Sequence, residues 1–263
     1  MRLDDAYANA AYIDGADTYP TRWLEAAKDF VFVQSSQGHA RLGLAYGAGA
    51  RERFDLFLPE GEAKGLMVFV HGGYWLRFDR SYWSHLAQGA NARGWAVAIP
   101  SYDLCPDVRI SDITRQIAQA VQVAAAMVAG PITLSGHSAG GHLVARMLAR
   151  GVLDEEVAAR LHRVMPISPV ADLRPLLETS MNADLRLDMT EAEAESPVLM
   201  VDRHSVPVTV WVGGDERPVF LDQAGWLAEA WNAELVIDKG RHHFDVIDGL
   251  ADPDSAMMLA LLG

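Results

Sequence analysis

The sequence predicts an α/β protein: a twisted, mostly parallel sheet of about eight strands with helices on both faces. Three observations predict it. Short, wholly apolar runs alternate with longer stretches of helical periodicity, the pattern of strands covered on both faces and joined by crossover helices. Half of the 263 residues are hydrophobic, enough to fill the core of one large domain spanning residues 1–263. Gly- and Pro-bearing turns close the apolar runs, as in Pro59-Glu60-Gly61 and Gly213-Gly214.

The elements follow in order. Residues 1–30 mix Tyr, Asp, Ala and Pro and read as an irregular or helical N-terminal arm. Strand-like runs lie at 42–46 and 53–58; in the second, Phe54, Leu56 and Leu58 fall on one side. Residues 66–70 are apolar throughout, as a strand buried on both faces requires. A helical stretch at 81–92 leads to a strand at 95–99. The next helix, 111–128, takes Ser111 as its N-cap and sets Ile113, Ile117, Ala120, Val121 and Ala124 on one face. Its alanine-rich side suits core packing and leaves a homo-oligomer contact open. A strand at 132–134, a sharp turn and a helix at 139–150 come next. Strands at 164–167 and 208–212, a helix at 220–232, a strand at 235–237 and a helix at 253–262 complete the pattern. Residues 171–205 break the alternation. They carry seven acidic residues between Asp172 and Glu195, and read as a small cap, an excursion over the sheet edge or a solvated helical connection.

Composition excludes several classes of function. Lys and Arg total 22 against 35 Asp and Glu, a net charge of −13. That balance excludes nucleic acid as a partner and disfavours anionic membranes. Cys105 is the single cysteine, so no intramolecular disulfide forms; it reads as a small buried hydrophobe. No run approaches the roughly 18 apolar residues of a membrane helix, and the acidic start lacks a secretory core. The expected location is the cytoplasm. His137 and His142 are five apart and His242 and His243 adjacent, neither being a zinc-helix spacing, so no metal is expected. Nor does any phosphate-cradling motif call for a cofactor.

The chemistry lies in Gly136-His137-Ser138-Ala139-Gly140, between an apolar strand and an amphipathic helix. Glycines two residues either side of Ser138 allow a sharp turn that lifts its hydroxyl from the sheet. The Ala139 N–H then points from a helix N-terminus toward a developing oxyanion. A serine hydroxyl needs a base, itself oriented by an acid. Gly213-Gly214-Asp215-Glu216 ends a strand and offers the acid: Asp215, directly after the glycines, is favoured over Glu216. His242-His243-Phe244 offers the base: His243, beside Phe244, is favoured over His242. The loop His71-Gly72-Gly73-Tyr74-Trp75 supplies further oxyanion donors, Gly72 and Gly73, with His71 as a structural support. Tyr74 and Trp75 are expected to line the substrate pocket, with packing beneath the arm as the alternative.

These residues carry a resemblance. His71-Gly72-Gly73-Tyr74-Trp75, Ser101-Tyr102-Asp103-Leu104-Cys105-Pro106 and the run from Ser135 to Leu143 resemble the α/β-hydrolase superfamily. Within it they are similar to the kynurenine formamidase (arylformamidase) branch of the hormone-sensitive-lipase-like esterases. Asp215 and His243-Phe244 match that branch, and the arm from Tyr7 to Trp23 matches more loosely. The resemblance implies the α/β-hydrolase fold and a serine hydrolase working through an acyl-serine. The implied substrate is a small molecule: an aryl formamide of the N-formyl-kynurenine type or, alternatively, a short-chain ester or thioester. Arg77 is the nearest cation for such a substrate's carboxylate. A non-catalytic ligand-binding homologue is the remote alternative, since such proteins usually lack the nucleophile or base found here.

Overall fold

The computed structural model describes residues 3–263. Its eight strands form one sheet: β1 (Ala40–Ala45), β2 (Arg53–Phe57), β3 (Leu66–Val70), β4 (Ala96–Pro100), β5 (Ile132–His137), β6 (Leu161–Ile167), β7 (Thr209–Gly213) and β8 (Glu234–Asp238). Their spatial order is β1-β2-β4-β3-β5-β6-β7-β8. The β1–β2 and β2–β4 pairs are antiparallel, and every later pairing is parallel. Central β3, β4, β5 and β7 are buried along their whole length, as their apolar sequences require.

Alternation along β3 divides the core between the two faces. Val68 and Val70 face one side, with Ile113 and Ile117 of the helix Ile110–Met127, Leu143 of Ala139–Arg146 and Leu227 of Pro218–Trp231. Met67 and Phe69 face the other, with Trp23 and Phe30 of the helix Tyr19–Ser36, Ala90 of Gln88–Ala92 and Met258 of Ala256–Leu262.

Several boundaries differ from expectation for identifiable reasons. The third α-helix begins at Ile110, not Ser111, because the Asp112 carboxylate accepts the N–H of the N-cap Arg109 at 2.9 Å. The helical stretch at 81–92 divides into 3₁₀ turns at Arg80–Tyr82 and Ser84–Ala87 and a short helix Gln88–Ala92. The C-terminal helix starts at Ala256, where the Ser255 hydroxyl accepts the Met258 N–H at 3.0 Å. Residues 171–205 form short turns and helices pinned to the body. Glu195 accepts from Thr114 Oγ1 at 2.7 Å and pairs with Arg146, while its carbonyl accepts from His142 Nε2 at 2.8 Å. Among the described residues, no helix is long and apolar enough to cross a membrane, and no His, Cys, Asp and Glu side chains cluster to hold a metal ion.

Candidate active site

Strand β5 ends in the turn that carries Ser138. Its φ of +56° is costly for a residue with a Cβ and is fixed by its surroundings. The Ser138 N–H donates to Ile167 O of β6 at 2.8 Å. The turn tolerates no larger flanking residues: a Cβ on Gly140 would lie 2.0 Å from Val70 O, and one on Gly136 would lie 2.3 Å from Gly140 O. Ala139 is the first residue of the helix Ala139–Arg146, so its N–H has no intrahelical acceptor and lies at the positive end of the helix dipole.

Ser138 lines a cavity of about 790 Å³ together with Gly72, Gly73, Tyr74 and His243. Gly72 lies directly against the serine, where a Cβ would be 3.0 Å from Ser138 Cβ and 2.8 Å from His137 O. Gly73 takes a φ of +113° that suits glycine. The loop is braced from beneath. The His71 ring stacks on Tyr102 at 4.3 Å, its Nδ1 donates to Gly72 O at 2.8 Å, and the Tyr102 hydroxyl donates to His71 O at 2.9 Å. Burial lowers the His71 pKa to about 4, so this ring stays neutral and supportive.

His243 follows β8 and is 4% exposed, its ring between Phe220 at 4.3 Å and His137 at 4.6 Å. Burial, then the neighbouring His243, holds His137 well below its ordinary pKa, so it brings no second charge to the site. His242 turns away from the cavity toward the arm, its Nε2 3.1 Å from the Tyr19 hydroxyl.

The carboxylate that meets His243 is not the one the sequence favours. His243 Nδ1 donates to Glu216 Oε2 at 2.5 Å, and the Glu216 side chain is fully buried. Asp215 is exposed. Its N–H is tied to Arg241 O at 2.9 Å, and the backbone there turns its side chain outward and the next one inward. Inside, Glu216 Oε1 accepts the Gly213 N–H at 2.9 Å and the Ser168 hydroxyl.

Trp75 also departs from its expected place. Tyr74 lines the cavity and donates to Tyr7 O at 2.8 Å. Trp75 is fully buried and packs edge-on against His142 at 5.1 Å, away from the cavity. Successive positive φ values at Tyr74 and Trp75, +53° and +57°, send the two side chains apart.

The cavity's outer wall is the N-terminal arm. Tyr7, Asn9, Ile13 and Trp23 line it, whereas the 171–205 segment contributes Met181. The arm is tied to all three site loops. Tyr74 bonds Tyr7. Arg217, beside Glu216, pairs with Asp5 at 2.9 Å and covers the Tyr12 ring at 3.6 Å. Tyr19 contacts His242 and the Phe244 ring, the latter at 5.5 Å. Its Tyr and Trp residues were the available sequence signal, but periodicity does not say where an irregular arm lies. Arg77 lines the cavity with an exposed side chain.

An eight-stranded, mostly parallel sheet with a serine on the sharp turn after β5 is the architecture of an α/β hydrolase. Residues 67–233 match the family model described as alpha/beta hydrolase fold, and the chain belongs to that family of hydrolases. The kynurenine formamidase of Drosophila melanogaster is 30% identical, over 81% of this chain and 77% of its own length. An isoprenylcysteine alpha-carbonyl methylesterase of Arabidopsis thaliana is 29% identical, covering 88% of this chain and 61% of its own length. The crystal structure of a protein from Silicibacter sp. TM1040, named as a candidate thioesterase, has a TM-score of 0.98 and 61% identity, with 100% of both chains covered.

Proposed function

We propose that this hydrolase cleaves a small acyl group through an acyl-serine formed on Ser138. The observation that carries the reading is the Glu216–His243 hydrogen bond at the wall of the cavity that Ser138 lines. With Nδ1–H held by Glu216, the His243 Nε2 is the free base. It takes the Ser138 proton as Oγ attacks the carbonyl carbon. The tetrahedral oxyanion lies among the N–H groups of Gly73 and Ala139, with Gly72 beside them. Protonated His243 then gives its proton to the leaving group, while Glu216 stabilises the imidazolium. Water, deprotonated by His243, attacks the acyl-serine, and Ser138 recovers its proton as the acid leaves.

For the substrate we favour an aryl formamide of the N-formyl-kynurenine type, yielding formate and the aryl amine. The formamidase relatives support this, as does a cavity within the range of about 300–1,000 Å³ typical of small-molecule sites. The second reading is a short-chain ester or thioester, supported by the methylesterase relative and the candidate thioesterase of nearly identical shape. The test compares kcat/KM for N-formyl-kynurenine and p-nitrophenyl acetate, with Ser138→Ala as the blank. A preference for the formamide of about a hundredfold or more, about 2.7 kcal/mol of differential transition-state binding, supports the first reading. Activity on the ester alone moves the substrate to the second.

A further inference from the structure

Ser168 follows β6 directly and is fully buried. Its φ is +46°, a left-handed conformation that a residue with a Cβ keeps only where its surroundings impose it. Its N–H donates to Trp211 O at 2.7 Å, which ties the residue to β7, the strand that leads into Glu216. Its hydroxyl donates to Glu216 Oε1, the oxygen turned away from His243. The carboxylate is thus gripped from three places: Ser168 after β6, Gly213 at the end of β7, and His243 after β8.

The grip matters because the acid is a glutamate. Its side chain has one more rotatable bond than aspartate, and so more freedom to lose before Oε2 faces Nδ1 squarely. The Gly213 N–H lies only three residues away in the same loop. Ser168 is the donor from a separate strand.

We infer that Ser168 is a positioning residue: its hydroxyl fixes the plane of the Glu216 carboxylate so that Oε2 orients the His243 ring. It acts through Glu216 and does not touch substrate. The inference rests on the proposed Ser138–His243–Glu216 mechanism.

The test is a pair of variants read by steady-state kinetics over a range of pH. Ser168→Ala is expected to lower kcat about tenfold or more, with KM within about twofold. The acidic limb of the kcat/KM profile should move to higher pH. A carboxylate that has lost a donor is more basic and draws the proton onto His243 more strongly. Ser168→Gly also lacks the hydroxyl but suits the left-handed backbone, so it should fold without strain and show the same shift. In a Glu216→Gln background, Ser168→Ala should cost nothing further.

Wild-type kcat and an unmoved limb in both Ser168 variants, with Glu216→Gln inactive, would overturn the role of Ser168. So would a loss that leaves the limb in place and adds to that of Glu216→Gln, since that marks a general structural defect. Full activity in Glu216→Gln itself would instead overturn the mechanism on which the inference rests.

Discussion

His243 Nδ1 lies 2.5 Å from Glu216 Oε2, whereas the carboxylate of Asp215, one residue earlier, is turned to solvent. Adjacent carboxylates in one loop therefore meet opposite environments. Glu216→Gln is expected to lower kcat/KM by about three orders of magnitude or more, because the amide cannot stabilise the imidazolium or hold its tautomer. Asp215→Asn should remain within about threefold of wild type. Steady-state assays of the two variants on one substrate check this, and the reverse ranking would return the acid to Asp215.

Trp75 fills the core beneath the Gly72-Gly73 loop and not the pocket. Trp75→Ala should cost about 3–5 kcal/mol of stability, read as a lowered denaturation midpoint. Tyr74→Phe keeps the ring and loses the bond to Tyr7 O, so stability should fall by only about 1 kcal/mol. Its main effect should be a raised KM, because the arm loses its tie to the Gly72-Gly73 loop.

The arm as cavity wall predicts a size-dependent effect. Ile13→Trp places a larger side chain in the 790 Å³ cavity without touching Ser138, His243 or Glu216. It should lower kcat/KM for an aryl substrate about tenfold or more and for p-nitrophenyl acetate considerably less. Equal losses on both would argue that the arm does not form the leaving-group wall.

Buried histidines set an acid limit on stability. Burial lowers the pKa values of His71 and His142 from 6.5 to about 4 in the folded chain. Between these values the unfolded chain binds protons that the folded chain refuses. Their stabilising effect is therefore complete above pH 6.5 and declines as pH falls toward 4. Thermal unfolding should show Tm falling through that window, less steeply in His142→Gln. A Tm independent of pH there would contradict the account.

Much of this was legible in the residues. The apolar runs at 66–70 and 95–99 mark strands because a doubly covered strand is apolar on both sides. The serine turn is legible because its glycines answer close backbone contacts, Gly140 against Val70 O above all. The choice between Asp215 and Glu216 was not. It depends on which way a loop backbone turns, fixed here by the Asp215 N–H to Arg241 O bond from a distant segment. The same holds for Tyr74 and Trp75, separated by two successive positive φ values that neither residue type favours. Ser168 gave one faint signal, a polar residue just after an apolar strand.

The proposed mechanism makes Ser138 the nucleophile, activated by His243 and Glu216. The most direct measurement is covalent labelling with diisopropyl fluorophosphate, followed by peptide mass spectrometry and the rate of labelling. One adduct is expected, on Ser138, forming at least about a hundredfold more slowly in His243→Ala and Glu216→Gln and at near wild-type rate in Asp215→Asn. An adduct on another residue, or labelling of Ser138 that is indifferent to His243 and Glu216, would contradict it.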